Sequence, residues 1–456
     1  MALSYPMPLA EEARIVPLEA RLAAADVQLL LGTVVDLGGV VRAKAVPAGR
    51  LRSFHSPGLG ASPSWHVFCI DNAVAFTPAL NVVGDQRLRL DLDAVRLAGD
   101  ELAWAPAEFH EQTGEPSPLC SRGLLRGKLA ALHAAGLTAS AGFELEFVLT
   151  GADGALPTSR PWHAYGADAV LDQQGFIAEL AAACERAGLP LAQIHAEYGD
   201  GQYELSFAPT DPLTAADDVV LARLLIGRLA RRRGLAASFS PLPFAGGSGN
   251  GAHLHLSLAR DGKPLFSGGS GPHGLTDEGG SAVAGVVAGL TEVIGVLAGS
   301  PLSRFRLLPG HWSGAHACWG RENREAAVRF CAAGPGNPGG ANVEVKCVDP
   351  AANPYLAAAV ILGLALDGVG RAAALPAEVP GNPADLSPLE ADLAGALPLP
   401  TDQKEILATM ADSALLRRLL GGQLLDALLA VRRHELTYRD HEPAELADRF
   451  RFAWSV

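Results

Sequence analysis

An α+β fold is what this 456-residue sequence predicts, on three observations. The first hundred residues carry short β-like runs cut by Gly, Pro and Asp turns. Later, strand-like runs alternate with helical runs long enough to cover a sheet. Between the two regions lies HEQTGEPSPLC, whose composition is that of a linker. The expected division is a small, mostly β domain over 1–105 and a large α+β domain over 106–456.

Taken in order, the early strand candidates are LLGTVVDL, VVRAKAVP and RLRLDLDAV. After the linker, RGLLRGKLAALHAAG predicts a helix with Ser121 as N-cap and Gly136 as its stop. Strands are then expected at TASAGFELEFVL, QYELSFAP, AHLHLSLA and NVEVKCVD. Helices are expected at VLDQQGFIAELAAACERAG, TAADDVVLARLLIGRLARRRG and NPYLAAAVILGLALDGV. The apolar run SAVAGVVAGLTEVIGVLAG, with Glu292 in its middle, reads better as a buried helix than as a membrane span. AAGPGNPGGAN, Ala332 to Asn342, is a loop.

Composition narrows the function. Apolar residues make up 49% and charged residues 19%, the balance of a folded soluble protein. A formal charge of −13 argues against nucleic-acid binding, which needs clustered Lys and Arg, and suits a protein that gathers carboxylates around cations. Six cysteines without C-x-x-C spacing indicate neither a zinc module nor a disulfide framework. The N-terminus lacks a basic region followed by an apolar run, so no signal peptide is expected. The expectation is a reduced, cytoplasmic protein with no membrane or nucleic-acid partner.

The polar residues follow a pattern. GFELEF places Glu144 and Glu146 two apart, hence on one strand face, within apolar flanks. AHLHLSL sets His253, His255 and Ser257 opposite Leu254, Leu256 and Leu258, and NVEVKC sets Glu344 and Lys346 opposite Val343, Val345 and Cys347. Glu197 and Glu204 flank a Gly-Asp-Gly turn. Each motif alone is the stuff of solvated strand faces. If the four faces converge, they line a polar cavity that needs cations to neutralise it. Carboxylates with one or two imidazoles suit Mg²⁺ or Mn²⁺ better than zinc. The run FAGGSGNG before the histidine strand is either a backbone cradle or a flexible turn; it lacks the Lys-Ser/Thr ending of a P-loop. Arg306, Arg321, Arg324 and Arg329 crowd a segment broken by Pro-Gly and Ser-Gly; beside divalent metals, arginines serve phosphoryl transfer, though singly each reads as a surface ion pair.

In this order, GFELEF, HAEYGDGQYEL, GSGNGAHLHLSL, RLLPG…RENREAAVR and VEVKCVDPAANPYLAAAVILGLALDGV make a set that resembles glutamine synthetase and its relatives over nearly the whole chain. The resemblance implies an N-terminal β-grasp domain and a catalytic domain whose strands line a funnel. It also implies self-association into hexameric rings or a dodecamer, with active sites between neighbouring subunits. It implies two or more Mg²⁺ or Mn²⁺ per site, one held by Glu146, Glu197 and Glu204 and another by Glu144, His253 and Glu344. His255 and Ser257, with Arg329, match positions near ATP; Arg306 and Gly249 match positions holding the α-carboxylate and amino group of L-glutamate. Arg324 and Arg329 match the arginines that face the transferring phosphate, and Lys346 stands where the family usually has Arg. The implied chemistry is ATP-dependent conversion of the γ-carboxylate to an acyl phosphate, then amide formation by a nitrogen nucleophile.

Two departures bear on the nucleophile. Where ammonium-using members carry an Asp-Gly-Ser-Ser loop, this chain has GLGASPSW, which brings Ser62 and Trp65 and no carboxylate. Where the family's flap carries Glu after Pro-Gly-aromatic, PGHWSG places Trp312. A neutral pocket with an indole suits an alkylammonium by cation–π attraction better than ammonium. The expected activity is therefore a γ-glutamyl-amine ligase acting on a polyamine or an ethanolamine-like amine. A glutamine synthetase using other ammonium-binding residues and a non-catalytic ring-forming scaffold remain as alternatives. No counterpart of the family's N-L-Y-x-L-P regulatory loop is present in GALPLPTDQK.

Overall fold

The computed structural model describes residues 9–156 and 161–456. The first eight residues of the stretch read as lacking a signal peptide lie outside them. The α+β class is observed, built on two sheets.

The first sheet has six strands. From one edge it runs Val41–Pro47, Leu29–Val35, Leu102–His110, Gln86–Leu90 and Leu59–Ala61, with Arg96–Gly99 also paired to Leu102–His110. All three early strand candidates are in it. The strand Leu102–His110 continues past residue 105, where the sequence reading had set its boundary. Sequence reading also passed over a helix, Leu9–Ala24, because Pro17 interrupts its pattern. Ile15, Leu18 and Leu22 recur at helical spacing and pack with Leu30, Phe54, Leu88 and Leu90 into a core of their own.

The second sheet has ten strands and carries most of the chemistry-bearing residues. Its order is Leu397–Pro398, His316–Arg321, Ala326–Cys331, Asn342–Val345, Ala252–Arg260, Leu137–Gly151, Gln202–Phe207 and Leu191–Ala196, with Leu235–Ser238 and Lys263–Pro264 paired off this path. The helices Ser121–Ala134, Pro212–Arg232, Asp277–Leu297 and Pro354–Gly370 contribute to the large core beside it. Two local expectations are corrected. The helix after the linker is capped by Cys120, whose sulfur accepts the Gly123 N–H, while Ser121 is its first helical residue. The run from Val170 to Gly188 is two helices, Ala167–Asp172 and Gln174–Ala187, broken at Gln173 and stopped by left-handed Gly188.

Asp277–Leu297 is long and apolar enough to cross a membrane, but it lies in the core. It meets Pro354–Gly370 at glycines: a Cβ on Gly285 would sit 2.3 Å from the Leu364 carbonyl oxygen, and one on Gly368 2.1 Å from that of Ser281. The midpoint Glu292 accepts the Ser413 hydroxyl.

Polar contacts join the two sheets' regions. Arg122, at the start of helix Ser121–Ala134, is buried between Asp217 (2.8 Å), Asp91 (2.9 Å) and Glu108 (2.5 Å). Asn353 caps helix Pro354–Gly370 through its side-chain oxygen, while its amide nitrogen donates to the carbonyls of Val35 and Asp36. Trp454, near the C-terminus, donates to the Gly38 carbonyl.

Asp218, beside Asp217, is buried, with one carboxylate oxygen unpartnered among the described residues. Burial pushes its carboxyl up to about 7, with Arg96 opposing and Asp217 adding. Between the unfolded carboxylate range and pH 7 the folded chain keeps a proton the unfolded chain has lost, so stability falls as pH rises through that window. Asp218→Asn should therefore gain stability relative to the wild type, and the gain should grow from pH 5 to pH 8 by on the order of 2–3 kcal/mol in urea unfolding.

Candidate active site

Strand register assembles the site. Across the second sheet Glu146 pairs with Glu204, which pairs on its other side with His195. Glu144 pairs with His253, while His255 pairs with Glu344, which in turn pairs with Arg329. Because alternate residues share a face, these partners all project from one side, and Leu254 and Leu256 beside the histidines go into the core. The four expected polar faces do converge.

Three groups of potential ligand atoms result, each with its atoms within 4.8 Å of one another: Glu144, His253 and Glu344; Glu146, Glu204 and His253; and His195, Glu197 and Glu204. His253 bridges the first two. Its Nδ1 lies 3.1 Å from Glu144 and 3.3 Å from Glu344, its Nε2 3.8 Å from Glu146. Arg306 approaches the same Nε2 at 3.1 Å. A guanidinium only donates, so Nε2 accepts and the ring proton sits on Nδ1, facing Glu144. A fourth group, Cys69, Asp71 and His434, lies apart from this face. There Asp71 already accepts His434, the Tyr438 hydroxyl and the Ala73 N–H, and burial pushes the Cys69 thiol up to about 12.

The electrostatics are those of crowded like charge. Burial first, and then Glu144, Glu146, Glu197 and Glu344, push Glu204 up to about 10. Burial and Glu197 likewise raise Glu146, against the pull of His253 and Arg306. Glu344 goes the other way: burial works to raise it, but Lys346, His253 and His255 hold it at about 2. Its carboxylate takes Lys346 Nζ at 2.9 Å and Arg329 Nη1 at 3.0 Å. Glu144 is also held well below the usual range; hydrogen bonds from His253 and His255 overcome its burial. Two of the inward carboxyls are thus raised by crowding where a cation would relieve it. Oxygen-rich, thiolate-free groups of this kind fit a hard divalent ion.

The glycine run is part of the same wall. A Cβ on Gly251 would lie 2.4 Å from His253 Nε2, 2.8 Å from Glu146 and 2.9 Å from Arg306, so a side chain there would fill the space between them. Gly249 accepts Gln202 Nε2 at 2.9 Å and rests against the Arg306 side chain. Arg306 is buried; Nη2 also donates to the Lys346 carbonyl, and Nη1 has no partner among the described residues. His255 lies 3.1 Å from Glu144 and 2.8 Å from the Asn342 side chain, and Ser257 donates to the Ala341 carbonyl. Of the four crowding arginines, Arg306 and Arg329 reach the carboxylate cluster, whereas Arg321 and Arg324 are exposed.

Trp312 sits 54% exposed on the loop after helix Ser303–Arg306, at a positive φ of 51°. Ser62 and Trp65 lie just after the first sheet's edge strand, where Ser62 caps a short turn of helix and Lys44 sits 5.6 Å over the Trp65 ring. No hydrogen bond, ion pair or ring contact joins either to Trp312 among the described residues.

Sequence reasoning missed His195, Gln202, Tyr165 and Glu325. His195 lies 2.9 Å from Glu197, and Gln202 donates to Glu146 at 2.8 Å. Both stand two residues before a site glutamate, so the alternation that picked out Glu144 and Glu146 would have found them. Tyr165 stacks on His195 at 5.9 Å, and burial followed by Glu197 pushes its hydroxyl up to about 12. Nothing in its local sequence marks it.

Saturating Mn²⁺ should raise the melting temperature, as about 2.7 kcal/mol of stabilisation is expected at a hundredfold excess over Kd. Glu204→Gln should melt no lower than the wild type without metal, because it removes a crowded carboxyl. It should lose most of the Mn²⁺-dependent rise, as read by calorimetry with and without chelator.

Comparison with known proteins agrees with this geometry. The glutamine synthetase catalytic domain family matches residues 118–449. The gamma-glutamylpolyamine synthetase GlnA3 of Streptomyces coelicolor is 40% identical over 432 residues, covering 92% of each chain. The glutamine synthetase of Mycolicibacterium smegmatis is 33% identical over 339 residues, 73% of this chain and 76% of its own. A crystal structure described as a novel glutamine synthase homolog superposes with a TM-score of 0.83 at 31% identity, covering 94% of this chain and 99% of the other. A GmaS/ADP complex gives 0.81 at 26% identity, covering 95% and 98%. With its catalytic region matched and its carboxylate–histidine wall assembled by strand register, the chain belongs to the glutamine synthetase family.

Proposed function

We propose that this protein is an ATP-dependent ligase that phosphorylates the γ-carboxylate of L-glutamate and joins it to an organic amine, a polyamine or an ethanolamine-like compound, giving a γ-glutamyl amide, ADP and phosphate. The observation that carries the reading is the pairing of an intact carboxylate–histidine wall with the neutral Trp312 on the adjoining loop. The likeness to a relative named for γ-glutamylpolyamine synthesis supports it.

In this reading Glu146, Glu197 and Glu204 would hold one Mg²⁺ or Mn²⁺ and Glu144, His253 and Glu344 another, whose charge would supply screening of the polyphosphate and of the transferring group. Arg306, with Nη1 unpartnered, offers a guanidinium to the α-carboxylate of glutamate, and Gly249 its backbone near the amino group. Arg324 and Arg329 face the transferring phosphate, with Arg329 poised from Glu344. Lys346 holds Glu344 as a point charge where an arginine fork would bind in a plane. His255 and Ser257 border the nucleotide. Trp312 offers an aromatic face to an alkylammonium, and Ser62 and Trp65 complete the amine pocket from a neighbouring subunit.

That last assignment goes with hexameric rings or a dodecamer whose sites lie between subunits. The first sheet is the β-grasp domain of the reading, and the strands of the second line a funnel. The domain division of the sequence is kept, with its boundary moved to the turns after His110. A reduced, cytoplasmic setting suits the six free cysteines.

The test is phosphate release with ATP, Mg²⁺ and glutamate against putrescine, spermine, ethanolamine and ammonium in parallel. Organic-amine-dependent release without an ammonium response is expected. A response to ammonium alone would instead make the protein a glutamine synthetase, and silence throughout would leave a scaffold. Glu197→Ala should abolish turnover. Trp312→Glu should raise KM for the organic amine by roughly five- to thirtyfold, the worth of a partly desolvated cation–π contact.

A further inference from the structure

The loop bearing Trp312 is held in an unusual way. Between helix Ser303–Arg306 and strand His316–Arg321 the chain runs through Pro-Gly and Ser-Gly, a composition that favours mobility. Yet Glu325, from the turn before strand Ala326–Cys331, reaches back to it. Its Oε1 accepts the Trp312 N–H at 3.0 Å and its Oε2 accepts the Gly310 N–H at 3.2 Å. Glu325 is 8% exposed, and its carboxylate has no cationic hydrogen-bond partner among the described residues. Two N–H groups from alternate residues thus converge on one buried carboxylate, a nest closed by a side chain. The hydrogen bonds are charge-assisted, and they fix the backbone at Trp312, whose φ is positive.

Both ends of this latch lead into the site. The base of the loop lies at the end of the strand bearing Glu344, for a Cβ on Gly314 would come within 2.8 Å of Lys346 Cβ. Glu325 itself follows Arg324, whose charge acts on Tyr165, the ring stacked on His195. The Ser313 hydroxyl adds a further tie, to the Leu308 carbonyl. We propose that Glu325 is the positioning residue of the acceptor pocket: by clamping Gly310 and Trp312 it sets where the indole stands, and so which amine the ligase accepts. This rests on the organic-amine reading given above. It adds that a buried carboxylate, which never meets the amine, selects it through the backbone. Removing the clamp frees the loop to rearrange while leaving Arg306, the metal-binding wall and the nucleotide positions in place.

The experiment uses the full-length enzyme with Glu325→Ala and Glu325→Gln. Hydrogen exchange of the peptide spanning residues 308–314 should accelerate at least tenfold in Glu325→Ala, with exchange in strand Ala252–Arg260 unchanged. KM for the best organic amine should rise roughly tenfold, whereas KM for glutamate and for ATP should stay within about twofold. Glu325→Gln, which keeps one acceptor oxygen, should recover part of both effects. Unchanged exchange, an unchanged amine KM, or a parallel rise in all three KM values would each overturn the proposal. A wild-type enzyme that turns over no organic amine would instead sink the acceptor reading, and the proposal with it.

Discussion

Everything in this structure turns on like charges forced together by strand pairing. Glu146 and Glu204 are cross-strand partners, buried, with Glu144 and Glu344 near by. Such an arrangement costs several kcal/mol per uncompensated ion, and two kinds of compensation are visible. Cationic groups stand where they can reach Glu344, through Lys346 and Arg329, while the imidazoles of His253 and His255 lie against Glu144. Where they cannot, burial and the neighbouring carboxylates raise the Glu146 and Glu204 carboxyls above the usual range. The sheet is therefore strained electrostatically at one end and neutralised at the other, and a bound dication would even out the difference.

That asymmetry helps explain the placement of neighbouring residues. Glu344 is compensated by Lys346, just past the end of its own strand, and by Arg329 on the next, which also pairs with Glu322. Glu204 instead faces the His195 ring at 3.7 Å and the charges of Glu144, Glu146, Glu197 and Glu344, while Gln202 donates to the adjoining Glu146. The compensated carboxylates, Glu144 and Glu344, and the crowded ones, Glu146 and Glu204, thus meet at His253, which belongs to both groups. Glycines 249 and 251 allow the chain to pass this close without filling the space.

Much of this was legible in the sequence because alternation is a strong signal. Polar residues at every second position amid Leu, Val and Phe announce a strand with one functional face, and all four such motifs met in the structure. What sequence could not give was any contact made through irregular chain. Tyr165 reaches the cluster from a loop, and Glu325 acts through backbone N–H groups that have no side-chain signature. The helix cap fell to Cys120 rather than Ser121 for a similar reason: both can accept, and tertiary packing drew the Ser121 hydroxyl to Asn353. Helix Leu9–Ala24 was hidden by its proline and by a narrow apolar stripe.

The seam around Arg122 and Asn353 carries a further implication. Asn353 closes one helix while its amide holds the first sheet, and Arg122 satisfies acidic groups from both regions. Cutting the polypeptide near residue 110 would orphan a buried guanidinium's partners and an indole N–H in one stroke. The ligase region is for that reason no portable cassette: it could be grafted onto another N-terminal domain only by rebuilding the joint.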